Sequence, residues 1–398
     1  MMIFYILEII IFSYFFLNVI YILVHAIAGL FYKEPQSEEA SDFLKIRILI
    51  PGYKEDRVII STALEALKQE YPKGKFEVII IADQFEKSTI NQLLTLPVKL
   101  IEVDFEESTK VKSLNKALHL LNDNADIAVI LDADNVMDKG FLKKTNNLFH
   151  QNILAAQSNR TAKNTNTPFA LLDALTECIN NNIFRKGFYS LGQSSAIIGS
   201  GMAFNYHLFK NIIKHINAVG GFDRELQLKI VESGVRIHYI ASMKVYDEKV
   251  EKARVYHNQR TRWISSQYHY LVKHFANGIK SFFNGNFDYF KFSIVTNLFL
   301  PQILSFSIFV IINISAFFLS TELFIPVYFY IFLLLLNITS FLLAIPKRFY
   351  RFKTLAAIGQ IPVAFIMLIM SLFKVRKGNR TFIHTPHANV NVNYEGER

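Results

Sequence analysis

The residues best placed to do chemistry are two carboxylates one position apart. The apolar run Ile127-Ala128-Val129-Ile130-Leu131 ends at Asp132-Ala133-Asp134. Such a run reads as a buried strand of a parallel sheet, and ligands of these sheets gather outside the carboxyl ends of the strands. Side chains at i and i+2 of an extended segment point the same way. Asp132 and Asp134 can therefore face one hard cation, Mg²⁺ or Mn²⁺, and through it a nucleotide diphosphate. Asp-x-Asp before Asn135 is also common in turns, and the pattern alone leaves that reading open. A second apolar run, residues 76–82, ends at Asp83, and two acidic strand ends in one sheet point to a nucleotide site. No G-x-G-x-x-G or P-loop follows the first strand. The phosphates would be neutralised by metal and basic side chains instead.

The elements that must position these groups occupy residues 45 to about 255. Residues 45–50 read as a strand broken by Pro51-Gly52, and Asp56 as the cap of a helix reaching Tyr71-Pro72. Residues 97–103 read as a third strand, 110–121 as a helix and 126–131 as the fourth strand. The alternation implies an α/β domain with a parallel sheet covered on both faces. The lone Cys178 excludes an internal disulfide framework and reads as a small buried hydrophobe.

The flanks are different. Hydrophobic residues make up 51% of the chain, high for a soluble protein. Residues 1–31 form an apolar run without Lys or Arg, long enough to cross a bilayer; lacking a basic leader, it reads as an uncleaved anchor rather than a signal peptide. Three more apolar blocks lie at about 292–319, 323–345 and 354–373. The connector 346–353 and the run 374–380 are basic, which should keep both in the cytoplasm. Three full crossings would put the tail outside, so one block, for instance the last with Gly359 and Pro362, is expected to be re-entrant or interfacial. Residues 266–291 fit an amphipathic segment on the membrane surface or core helices. The formal charge of +10 is better explained by anionic lipid than by nucleic acid, which is not expected as a partner.

Seven stretches, in order, carry a resemblance to a known family. They are Ile48-Leu49-Ile50-Pro51-Gly52-Tyr53-Lys54-Glu55, Ile81-Ala82-Asp83, Lys112-Ser113-Leu114-Asn115, Asp132-Ala133-Asp134, Gly199-Ser200-Gly201-Met202-Ala203-Phe204, Phe222-Asp223-Arg224-Glu225-Leu226 and Gln259-Arg260-Thr261-Arg262-Trp263. With them, residues 45–265 resemble a family 2 glycosyltransferase of the GT-A fold, in particular the membrane-bound cellulose-, chitin-, hyaluronan- and poly-N-acetylglucosamine-synthase-like branch. The resemblance implies a Rossmann-like, mostly parallel sheet in a cytoplasmic domain, with transmembrane helices at both ends. It implies inverting transfer from a nucleoside-diphosphate sugar, UDP-linked, to a glycan acceptor in β-linked polysaccharide synthesis.

On the same grounds Tyr53, Glu55, Asp83, Lys112 and Asp132 would bind the nucleotide, Asp132 and Asp134 the metal, and Asp223 would be the catalytic base. Gln259, Arg260, Arg262 and Trp263 would hold the diphosphate and acceptor, the arginines by paired hydrogen bonds and the indole by a flat face. An interfacial anchor is the other reading of Trp263. Glu225 would face a local Arg or Lys. Residues 381–387 resemble the gating loop of the synthases, with Thr385 near the nucleotide. Two departures stand out: the family usually has Asn at Lys54 and an acid at Phe222. The alternatives are single transfer to a lipid, as in the ceramide glucosyltransferase-like branch, and an inactive nucleotide-sugar-binding assembly subunit. A partner subunit or second copy could complete a translocation path.

Overall fold

The computed structural model describes residues 1–320 and 322–374; the gating-loop expectation at 381–387 and the basic run beyond Lys374 lie outside them. An eight-stranded sheet has the order β3-β2-β1-β4-β7-β6-β8-β5. The strands are β1 (Ile46–Tyr53), β2 (Phe76–Asp83), β3 (Lys99–Val103), β4 (Ile127–Ile130), β5 (Val136–Met137), β6 (Ala155–Ala162), β7 (Met202–Asn205) and β8 (His238–Asp247). The first four pair in parallel, β7 runs antiparallel to β4 and β6, and β8 is parallel to β6. Helices α2 (Ile59–Ala66), α3 (Lys87–Leu94), α4 (Lys110–Leu120), α5 (Phe141–Phe149), α6 (Pro168–Asn180), α7 (Phe188–Ser190), α8 (Tyr206–Ile213) and α9 (Phe222–Glu232) cover it. Two apolar clusters lie on its two faces, one around Ile79, Leu114 and Phe204, the other around Ile50, Ile80 and Phe141.

The expected break at Pro51 does not occur, and the reason is local. Leu49 O accepts from Leu131 N, so odd residues of β1 bond towards β4. Pro51 lies past the last β4 pair, Leu49 with Ile130, and its missing N–H forfeits no rung. The strand therefore continues to Tyr53. Asp56 does not cap α2 either: its Oδ1 accepts from Glu86 N at 2.8 Å, tying the β1–α2 loop to the start of α3.

The flanking helices are α1 (Met2–Leu30), α10 (Ala253–Phe283), α11 (Phe287–Phe290), α12 (Thr296–Leu298), α13 (Gln302–Phe318), α14 (Val327–Ala344), α15 (Phe352–Ile358) and α16 (Ile361–Leu372). Among the described residues three helical stretches, Met2–Leu30, Val327–Ala344 and Phe352–Leu372, are long and apolar enough to cross a membrane, and Phe287–Leu298 with Gln302–Phe318 meets the same measure only as a pair bent by 49°, the shape of a broken span or a re-entrant loop. Helix α10 has 31 residues and runs unbroken through positions 265 and 266. A π-helical stretch, Asn181–Gly187, joins α6 to α7 and receives α1. Gly187 is required there, because a Cβ would collide with His25 O.

Candidate active site

Four acids far apart in sequence meet on one cavity of about 890 Å³, because each sits at a strand end or helix start on the same edge of the sheet. Asp83, the last residue of β2, is 1% exposed. It accepts from Ser108 Oγ at 3.0 Å and Ser113 Oγ at 3.5 Å. Burial pushes its carboxyl above the usual range, against the pull of those two hydroxyls. Lys54 and Gln84, which follow the adjacent strands, both have φ 56°. That left-handed backbone suits Asn better than Lys, which gives the usual Asn at position 54 a physical sense.

Strand β4 ends at Ile130, and Asp132 to Asn135 form a turn closed by Asn135 N to Asp132 O at 3.1 Å. The two carboxylates are thus aimed by turn geometry, not by strand alternation, and their surroundings differ. Asp132 is half-exposed and bonded to Lys110 Nζ. Asp134 is buried and held by Asn135 Nδ2 at 3.0 Å and Glu248 N at 3.3 Å, while Lys163 Nζ donates to its carbonyl. Beneath them Ser200 Oγ accepts from Asp132 N at 2.8 Å and donates to Asn135 Oδ1 at 2.6 Å.

Could this turn hold a hard divalent cation? Among the described residues no group of three or more His, Cys, Asp or Glu side chains converges for a metal. Mg²⁺-type sites on nucleotides characteristically use one or two carboxylates, with water and phosphate oxygens as the remaining ligands. Asp132 and Asp134 fit that demand, with all-oxygen donors on the cavity wall and lone pairs beyond those already engaged.

Asp223 sits in the first turn of α9, where the helix dipole favours a carboxylate. Its Cβ and Cγ lie 3.8 and 3.9 Å from where a side chain on Gly199 would begin. Gly221, at φ 65°, precedes the helix, and a Cβ there would press on Ser266 at 2.8 Å. Glu225 turns away from the cavity to Lys273, at 2.9 Å to both oxygens, and His274, at 3.2 Å. Burial would raise its carboxyl, but the bonds from His274 and Lys273 win and hold it at about 2.

The Gln259 to Trp263 stretch lies on α10, and its two arginines do different things. Arg260 is buried, bonded to Asp173 at 2.5 Å, with its guanidinium 4.7 Å from the Tyr256 ring centre and 4.1 Å from that of Trp263. Arg260 thus braces Trp263 while itself lining the cavity. Burial lowers the Arg262 pKa, opposed by the charge of Asp132. Gln259 and Trp263 line the same cavity, with Tyr53 and Glu55 at its other end. Lys112 is not brought there; it is exposed and donates to Glu107 O at 2.7 Å.

Sequence reading missed Lys110, Ser200 and a charged group behind the turn. Glu177 is buried and takes Arg160 at 2.7 Å, Arg185 at 3.0 Å and Lys249 at 3.5 Å, while Asp247 takes Lys249 at 2.8 Å. Burial would raise the Glu177 carboxyl, yet the surrounding cations hold it far below the usual range. No local pattern announces such a cluster, since its members come from β6, α6, the π-helical stretch, the end of β8 and the segment after it.

A mostly parallel sheet with this edge and these flanking apolar helices defines a GT-A-like glycosyltransferase fold. The model of a family described as glycosyltransferase like family 2 matches residues 45–266, more than half of the chain, and the protein belongs to that family. It is 23% identical to "Probable glycosyltransferase YdaM" of Bacillus subtilis over 61% of this chain and 60% of that protein. It is 30% identical to "Cellulose synthase 2" of Novacetimonas hansenii, over 28% of this chain and 7% of that one. The chain thus spans less than two thirds of the length of either relative. Among solved structures, mannosyltransferase PcManGT from Pyrobaculum calidifontis, in complex with GDP-Man and Mn²⁺, superposes with a TM-score of 0.55 at 18% identity, covering 93% of this chain and 97% of that one. That likeness is one of fold.

Proposed function

We propose that the protein transfers a sugar, with inversion, from a nucleoside-diphosphate donor, UDP-linked, to an acceptor hydroxyl at the cytoplasmic face of a membrane, making a β-linked glycan or glycolipid. The observation that carries this reading is the single cavity walled by Asp83, Asp132, Asp134, Asp223, Arg262 and Trp263. Asp83 would receive the nucleoside, with Tyr53 and Glu55 beside it. Lys110 and Arg262, both next to Asp132, would hold the diphosphate. A divalent cation on Asp132 and Asp134 would take up charge on the leaving diphosphate. Asp223, on the same cavity, would accept the acceptor proton as the acceptor oxygen bonds to C1; the C1–O bond to phosphate breaks, and the nucleoside diphosphate leaves with its electron pair. One base suffices for this displacement, so the absence of an acid at position 222 leaves the chemistry intact.

The test is nucleotide release by membranes carrying the protein, with a panel of UDP- and GDP-sugars and Mn²⁺ or Mg²⁺. Asp223→Asn is expected to lower turnover by about 10²- to 10⁴-fold, the usual worth of a general base, with donor binding retained. A protein that binds donor but releases no nucleotide with any donor would be the inactive assembly subunit instead.

A further inference from the structure

Of the arginines that line the cavity, one lacks a counter-charge. Arg160 and Arg185 are paired with Glu177, and Arg260 with Asp173. Arg57 is exposed to solvent, and Arg262 feels the charge of Asp132. Arg224 is the exception: it is half-buried, yet makes no ion pair among the described residues. Its neighbour Glu225 is engaged by Lys273 and His274. Asp223, one position earlier, acts on it through charge alone. Cations withdrawn from water are normally paired. Helix stability does not explain the residue either, because a cation in the first turn of α9 opposes the helix dipole.

The guanidinium is nevertheless held in place. Nη1 donates to Asn297 Oδ1 at 2.5 Å, and Asn297 is itself fixed by Nδ2 bonds to the carbonyls of Phe292 at 2.8 Å and Ser293 at 3.1 Å. Nε and Nη2 bond to no described residue, and both keep accessible surface, unlike Nε of Arg185 and Arg260, which are enclosed without a partner. These two donors form one edge of the planar fork, the edge that matches a carboxylate. The protein itself uses that edge once: Arg160 turns Nε and Nη2 to Glu177, at 3.2 and 2.7 Å. The place of Arg224 is also informative. Phe222 of α9 meets Lys110, with Nζ 5.1 Å from the ring centre, and Arg224, two residues on, lies about 200° further round the helix. It therefore leaves the side where Lys110 would hold the diphosphate. Its partner Asn297 gives its carbonyl to Gln267 at 3.1 Å, and Gln267, Ser266 and Trp263 line the cavity there.

We infer that the acceptor is an acidic sugar, whose hydroxyl gives its proton to Asp223 while its carboxylate accepts two N–H bonds from Arg224. A uronic acid carries both groups on one ring. The inference rests on Asp223 being the transfer base. The acceptor oxygen bonds to C1 of the donor, the C1–O bond to phosphate breaks, and the nucleoside diphosphate leaves with its electron pair. The carboxylate makes and breaks no covalent bond; it places the hydroxyl.

The test is acceptor-stimulated nucleotide release by the purified full chain with UDP- and GDP-sugars and Mn²⁺. The acceptors are methyl β-glucuronide and methyl β-galacturonide, set against the methyl β-glucoside, the methyl β-galactoside and the 6-phosphates of both. The uronides should be preferred in kcat/KM by about 10- to 100-fold, the usual worth of hydrogen bonds to a charged group. Arg224→Met should remove that preference through the acceptor KM rather than the donor KM, and Arg224→Lys, which keeps the charge and loses the fork, should restore part of it. Stimulation by the uronides no greater than by the neutral glycosides or the phosphates, or an Arg224→Met loss that falls equally on charged and neutral acceptors, would overturn the inference while leaving the transferase reading standing. No nucleotide release from any donor would remove both.

Discussion

Lys110 and Lys112 stand two residues apart on α4, about 200° around the helix, and so on opposite faces. Lys110 Nζ reaches Asp132 and, at 2.7 Å, Gly199 O, and lies 5.1 Å from the Phe222 ring centre. It therefore touches both the acidic turn and the start of the helix that carries Asp223. Lys110→Met should raise the donor KM or lower turnover at least tenfold in a nucleotide-release assay, whereas Lys112→Met should stay within about twofold. Equal effects of the two would break the assignment. The contrast also marks how far single residues were legible. Asp83, Asp132 and Asp134 announce themselves because a carboxylate ending an apolar run is conspicuous, whereas Asp223 was singled out only through the family resemblance. Ser200 and Asn135, which hold the acidic turn, look like ordinary loop residues until tertiary contacts give each a partner.

At the scale of elements, α9 is fastened to α10 through Glu225, whose side chain is only 5% exposed. A carboxyl held at about 2 in the fold, against about 4.3 when unfolded, binds its proton more weakly in the native state. Its contribution is complete above the unfolded value and is lost as pH falls from about 4.5 to about 2. At about 1.4 kcal/mol per pH unit this amounts to about 3 kcal/mol. Glu225→Gln should therefore unfold more readily at neutral pH and show a flatter acid limb over that window, followed by the fluorescence of Trp263 in detergent. An unchanged acid limb would show that Glu225 is not the group lost. Among the elements, the strands β1 to β4 were readable because both faces are buried and their residues are nearly all apolar. Strands β6 and β8 were not: Gln157, Asn159 and Arg160, and then Ser242, are satisfied by tertiary partners rather than by alternation. The single long α10 was hidden for a related reason, since its buried Arg260, His257 and His274 interrupt the apolar stripe that periodicity looks for.

Over the whole molecule, the hydrogen bonds fix which ends lie together. Glu8, near the start of α1, accepts from Phe324 N at 2.9 Å and Ile325 N at 2.8 Å, so the amino terminus sits with the α13–α14 connection. The other end of α1 meets the catalytic sheet, where Tyr32 Oη donates to Tyr239 O at 2.6 Å. After α14 returns, Ala357 of α15 packs with Leu171, Leu172 and Leu175 of α6, and Ser371 at the end of α16 bonds Thr261 of α10 at 2.9 Å. Both ends of Phe352–Leu372 thus contact the catalytic half. This supports a re-entrant or interfacial course for that block, and with it the basic connector and the start of the basic tail fall on one side, as the distribution of Lys and Arg requires. The arrangement is testable with single cysteines in a Cys178→Ser background. Lys347→Cys, exposed beside the catalytic half, should react with a membrane-impermeant maleimide only when the cytoplasmic face is open, and Ser320→Cys only from the other face. Labelling of both from the same side would mean that α14 does not cross, and the conflict between the charge of the connector and the number of spans would have to be resolved at α13 or α14 instead.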